Sequence, residues 1–205
     1  MDTLTIQDFK KILQAALEAV RAREQEFSEL DAVTGDGDHG TAIVQAMTSV
    51  VEAAGPAQEF KQMFNDISFN IMLQTSGSTS TLLGGFFLGL ADHSSGESMT
   101  ADQVKQAFMG ALDGVKKQTK ATVGDKTMMD ALQPAVNAIA ASTSGNIAEI
   151  MQEGAAAAIQ GAKATINMKA NFGRARNYGE KSIGFMDSGA SSWSCMFNAF
   201  AQALQ

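Results

Sequence analysis

The chain has 205 residues, 45% of them hydrophobic, and carries 22 acidic against 15 basic side chains for a formal net charge of −7. That balance excludes nucleic-acid binding, which needs clustered Lys and Arg, and no apolar run reaches the roughly 20 residues of a membrane span. The single Cys195 cannot form an internal disulfide, and the N-terminus lacks a basic stretch ahead of an apolar core. Both features lead us to expect a cytoplasmic chain, long enough to bury a sizeable core.

In chain order, the spacing of Phe9, Ile12, Leu13, Ala16 and Val20 predicts a first helix, capped by Thr3 or Thr5 and running to about Leu30. A second follows from Thr41 to Ala54 and stops at Gly55-Pro56. A third runs from Ala57 to about Leu73 with Phe60, Met63, Phe64, Ile67 and Ile71 inward. The hydroxyl-rich run Gln74 to Thr81 leads into a fourth through Leu82 to Leu88. Thr100 with Gln103 three residues on opens a fifth, to about Thr119. Val123 to Asp130 starts a sixth, ending near Ala141, and Ser144-Gly145-Asn146 restarts the chain into an alanine-rich seventh through Ala170. The eighth, Ala190 to Leu204, carries Trp193, Met196, Phe197 and Phe200 on one side. No strand pair is predicted. Eight helices with short connections indicate an all-α bundle forming a single domain over residues 1–205. Cys195 and the twelve methionines read as core residues, and His93 as a surface histidine.

The chemistry concentrates between Leu30 and Gly40, where Asp31, Asp36 and Asp38 stand with Gly35, Gly37, His39 and Gly40. The glycines let such a loop fold back tightly and aim its carboxylates at one point. No Lys or Arg lies between Glu24 and Lys61 to neutralise them, so a hard divalent cation is the natural counter-charge, and Mg²⁺ favours carboxylate, water and phosphate oxygens. The competing reading is a solvated turn with a helix cap. An EF-hand is excluded because Ala42 occupies the place of the bidentate Glu, and one cysteine with two distant histidines argues against zinc. The run Ser76 to Thr81 offers hydroxyls and backbone N–H groups to a phosphate, or is a plain linker. Gly124-Asp125-Lys126-Thr127 lacks the loop and the preceding strand of a P-loop. If the helices run up and down, the loops at Asp31–Gly40, Ser76–Thr81 and Gly173–Gly189 can share one face.

Three separated segments carry a resemblance: Leu30 to Gly40, the Val-Gly-Asp-Lys-Thr-Met-Met-Asp-Ala-Leu-x-Pro-Ala run at Val123 to Ala135, and a last group around Gly173-Arg174-Ala175, Gly179 to Gly184 and Asp187-x-Gly189-Ala190. Together they resemble the L subunit of dihydroxyacetone kinases over almost the whole chain. The resemblance implies an antiparallel eight-helix barrel holding ADP or ATP with two Mg²⁺ ions at one rim. Asp31, Asp36 and Asp38 would be the metal ligands and His39 a donor to a phosphate, the one residue assigned to catalysis. Ser76, Gly77, Ser78, Thr79 and Ser80 fall on the family's Gly-Gly-Thr-Ser-Gly-Pro phosphate loop. Thr41, Gly124 and Thr127 would join the nucleotide site, with Met128 against adenine, Arg174 beside the base or ribose, and Asp187 and Gly189 in the wall. It also implies a separate K subunit that holds dihydroxyacetone or a related short keto-sugar, and as donor either ATP or a phosphocarrier protein that recharges bound ADP. The chain departs from the family at Ser76, Ser80, Thr81 and Leu83, at Arg176-Asn177-Tyr178, at Phe185-Met186 and at Ser188. A non-catalytic nucleotide-binding module for regulation or interaction is the competing function.

Overall fold

The computed structural model describes the whole chain, Met1–Gln205. Its helices are α1 (Ile6–Ala22), α2 (Glu24–Ala32), α3 (His39–Ala54), α4 (Phe60–Gln74), α5 (Ser78–Asp92), α6 (Ala101–Lys116), α7 (Met129–Ala141), α8 (Ile147–Ala164) and α9 (Ser188–Gln202). Eight of them close a ring: α1 packs on α3, each later helix packs on the next, and α9 returns to α1. Neighbours run antiparallel, as the contacts of α1 with α3 illustrate. Lys10 near the start of α1 donates to the Gly55 and Ala57 carbonyls past the end of α3, while Arg21 near its other end reaches Thr48. The expected all-α barrel is therefore present, and the ring is filled rather than hollow. Phe9, Phe64, Phe87, Phe86 and Trp193 form a chain of ring contacts through it, with centroids 5.1 to 6.2 Å apart, within a continuous core of 54 buried residues.

Three expectations are corrected. The first helix does not run unbroken to Leu30. It breaks at Arg23, whose backbone leaves the helical region (φ −117°, ψ 15°), and α2 then swings against α3 and α9 outside the ring. The absence of strands is also wrong: β1 (Thr3–Thr5) pairs antiparallel with β2 (Ser98–Thr100), Leu4 opposite Met99. Each strand is only three residues long, too short for a two-residue alternation to show in the sequence, and each runs directly into a capped helix. Thr5 with Asp8 and Thr100 with Gln103 form the two capping boxes. The long seventh helix also ends earlier than expected, at Ala164, followed by a 3₁₀ turn over Thr165–Asn167 and another over Arg174–Ser182.

An antiparallel ring sends alternate connections to opposite ends. The connections 33–38, 75–77, 117–128 and 165–187 therefore share one rim. The other rim holds the strand pair and is tied by the Met1 ammonium to Asn146 Oδ1 (2.8 Å), Ile147 N to Met1 O (2.9 Å) and Phe60 N to Gly96 O (2.9 Å).

Candidate functional site

All four connections of the first rim surround one cavity of about 530 Å³. The first residues of α3, α5, α7 and α9 line it, whereas of the helices that leave for this rim only α2 contributes, through Leu30 and Asp31. No side chain caps the N-termini of α3 and α5. Their first backbone N–H groups, with the positive end of each helix dipole, are thus turned toward the space.

The aspartate loop folds on Asp31. Its Oδ2 accepts the Gly37 amide (2.9 Å), its Oδ1 accepts the Ser188 hydroxyl (3.3 Å), and its carbonyl accepts the Gly35 amide (2.6 Å). Gly37 takes φ 77°, a conformation that a side chain would strain, and this turn brings Asp36 and Asp38 back beside Asp31. One oxygen from each of the three carboxylates can lie within 4.8 Å of the others. Burial, together with the charges of Asp36 and Asp31, raises the Asp38 carboxyl above its ordinary range. Asp36 is shifted the other way by the Arg174 guanidinium, which pairs with it from the far connection. The cluster's counter-charge within the protein thus comes from 138 residues downstream, beyond any local reading of the loop. An all-oxygen, anionic and mostly exposed donor set suits a hard divalent ion that keeps water and phosphate oxygens, and does not suit zinc or copper.

His39, the first residue of α3, is wedged between α9 and α5. Its Nε2 lies 2.8 Å from Ser192 Oγ and its Nδ1 3.4 Å from Thr79 Oγ1. Because the Ser192 hydroxyl donates to Gly189 O (3.0 Å), the network places the imidazole proton on Nε2 and leaves Nδ1 as acceptor, so in this arrangement the ring's one N–H is spent on Ser192 and is not the phosphate donor expected from the sequence. Burial lowers the ring's proton affinity, so the neutral form dominates at neutral pH.

The opposite wall is built on two buried groups that the sequence reading did not single out. Asp130, 1% exposed, accepts the Gly124 amide (2.6 Å) and the Thr127 amide (2.8 Å), which folds the 124–127 loop. Lys126, 4% exposed, donates to the carbonyls of Thr165 (2.6 Å) and Phe185 (2.5 Å). Asp187 caps α9 by accepting the Ala190 amide (2.7 Å). Burial pushes its carboxyl up to about 7; the Ala190 amide and the Lys126 ammonium oppose that shift, and Asp130 and Asp31 add to it.

Asp31, Asp36, Asp38, His39, Ser76, Gly77, Ser78, Thr79, Thr127, Met128, Arg174, Asp187 and Gly189 all line the cavity. Three expected residues do not, and are corrected. Thr41 faces outward and bonds Glu24 Oε1 (3.1 Å). Ser80 is buried and donates to the Ser76 carbonyl (3.2 Å), so it braces its own loop. Gly124 spends its amide on Asp130. Lining residues missed in the sequence include Thr34, Gln118, Thr119 and Phe172, while Phe185 and Ser188, noted there only as departures from the family, line the cavity too. Ser192 was missed as well, though it lies one helical turn beyond Ser188 and Gly189, and that spacing on a helix start was the available signal.

Comparison with known proteins agrees with this geometry. The DAK2 domain model matches residues 33–202. The chain is 34% identical over 180 residues to the ADP-binding subunit DhaL of the PEP-dependent dihydroxyacetone kinase of Escherichia coli, covering 85% of each chain. It is 29% identical over 187 residues to the corresponding subunit of Listeria innocua, covering 90% of each. It also matches the L-erythrulose kinase of Pectobacterium atrosepticum at 31% identity, over 94% of this chain and 34% of that one. Among solved structures, the dihydroxyacetone kinase of C. freundii superposes with a TM-score of 0.73 at 26% identity, covering 94% of this chain and 34% of that protein. The chain thus spans about a third of the length of those longer kinases. It belongs to the DAK2-domain family, the kinase-subunit family that includes the ADP-binding DhaL chains.

Proposed function

We propose that this chain is the nucleotide- and magnesium-binding phosphoryl-transfer subunit of a kinase for dihydroxyacetone or a related short keto-sugar, acting with a separate substrate-binding K subunit. The observation that carries the reading is the meeting of three carboxylates with the uncapped starts of α3 and α5 in one rim cavity. A nucleotide diphosphate needs both halves of that arrangement, because backbone N–H groups hold its anionic oxygens and carboxylates hold the accompanying cations. Asp31, Asp36 and Asp38 would hold Mg²⁺, two ions on the family pattern, and such ions neutralise charge on the phosphate oxygens during transfer. The Ser76–Thr79 backbone and hydroxyls would orient the phosphates, and His39 Nδ1 would fix the direction of the Thr79 hydroxyl. Met128, 5% exposed, and Thr127 would receive the base on the opposite wall. Arg174, which pairs with Asp36 in the ligand-free chain, would turn its guanidinium to the nucleotide while its backbone stays beside the aspartate cluster.

Relatives named as PEP- or PTS-dependent ADP-binding subunits support a bound ADP recharged by a phosphocarrier, and ATP is the second donor the same site would accept. The altered Ser76–Thr81 loop favours one other reading, a module that holds nucleotide only for regulation or interaction. Mixing the purified chain with a K-type subunit, dihydroxyacetone or erythrulose, and either ATP or a phosphorylated carrier protein separates the two. Sugar phosphate is the expected product; nucleotide binding without turnover against any pairing would favour the module.

A further inference from the structure

Lys126 is the one buried cation of the rim, and nothing in the phosphoryl-transfer chemistry uses it. It is also the only non-glycine residue at positive φ (59°), a left-handed backbone that L side chains rarely adopt. That turn sends its side chain inward, where two of the ammonium's three donors end on Thr165 O and Phe185 O. Those carbonyls lie near the two ends of the 165–187 connection, which carries Arg174 in the middle. The same connection is pinned to the Lys126 loop at a third point, where the Asn171 amide donates to Asp125 O (3.1 Å). Gly184 N to Ile166 O (2.8 Å) and Asp187 N to Thr165 Oγ1 (3.0 Å) close its base. Between those points the strap is mostly exposed, with left-handed glycines at Gly173, Gly179 and Gly184; its own braces, Ala170 N to Ser182 Oγ (2.9 Å), Ser182 Oγ to Gly179 O (2.6 Å) and the Lys169–Glu180 pair (3.2 Å), join strap to strap, so they do not fix it to the rest of the rim, and the Arg174 side chain bonds Asp36 alone. An ammonium removed from water is costly unless its donors find acceptors, and here the acceptors are backbone carbonyls at the two ends of one connection.

We propose that Lys126 is a positioning residue, whose ammonium ties together the two ends of the 165–187 strap and thereby fixes Arg174 at the aspartate cluster. The tie is a property of the ligand-free chain; its purpose rests on the reading of the cavity as a magnesium-nucleotide site. Hydrogen exchange on the ligand-free full chain tests the tie. In Lys126→Met, amides of residues 168–185 should exchange about tenfold faster or more while the helices keep their protection. Unchanged strap exchange overturns the proposal. Should Lys126→Met not fold, Lys126→Gln decides on the same criterion.

The positioning role is tested by affinity for ADP with Mg²⁺ in a double-mutant cycle. Lys126→Met should weaken binding about tenfold in the wild-type background but less than about twofold when Arg174 is already Ala. Equal loss in both backgrounds overturns action through Arg174, because general destabilisation would be additive. Lys126→Arg, which keeps a multiple donor, should recover part of the affinity. Failure of the unmutated chain to bind ADP and Mg²⁺ would instead sink the nucleotide reading, and the exchange result would still decide the tie.

Discussion

At the scale of single residues the carboxylates divide into two kinds. Asp36 and Asp38 are exposed and contribute nothing to the core, so their removal should be felt in binding rather than in folding. Asp38→Asn relieves repulsion from Asp36 and Asp31, and the unfolding midpoint should hold or rise while magnesium-dependent nucleotide binding is lost. Undiminished binding would remove Asp38 from the ligand set. Asp187 is the other kind. Its folded-state value of about 7 lies above the ordinary 3.8, so between those values the folded chain holds a proton that the unfolded chain releases. Its contribution must therefore be greatest at low pH and lost as pH rises through about 7, at a slope of at most about 1.4 kcal/mol per pH unit. Asp187→Asn keeps the acceptor for Ala190 and should flatten that part of the stability profile in chemical denaturation; an identical slope in both proteins would refute the shift. The aspartates were legible because all three sit in one short loop of the sequence. Arg174, Lys126 and Ser192 gain their partners only through the closure of the ring, and no local pattern announces such pairings.

At the scale of elements, apolar spacing located the first three ring helices and the last, each with an apolar face turned to a common core, while a capping box, helix-start residues and composition located the others. What periodicity could not give is how closely two helices approach. α5 and α6 meet through Gly85 and Gly89 on one side and Gly110 and Gly114 on the other, and a Cβ on Gly89 would collide with the Gly110 carbonyl. The approach brings the backbones into contact, which sets the start of α5 and hence the position of the 75–79 loop at the rim. Gly89→Ala must push the pair apart and should cost on the order of 1–3 kcal/mol, read as a lowered denaturation midpoint. A neutral effect would mean that the pair has slack. The break at Arg23 and the short β1–β2 pair escaped the sequence for a related reason. Arg23 is a good helix former whose departure is set by the packing of α2 on α3 and α9, and three-residue strands are fixed by the ladder of a distant partner.

At the scale of the whole molecule, an even number of antiparallel helices in a closed ring delivers alternate connections to one end. The sequence reading gathered three loops to a common face, and the ring brings a fourth, the 117–128 connection with Thr127 and Met128. The core and the tied opposite rim, with Met1 bound to Asn146, supply rigidity, while the ligand-facing rim is built from loops and helix starts. This separation lets the rim vary, as at Ser76–Thr81 and Arg176–Ser188, without disturbing the barrel. The central claim is that the rim cavity takes a nucleotide through magnesium. Isothermal titration of the metal-stripped chain with ADP, with and without Mg²⁺, tests it most directly. The account predicts tight binding at one site per chain that disappears when the metal is withheld, whereas no heat in either condition, or equal affinity in both, would contradict it.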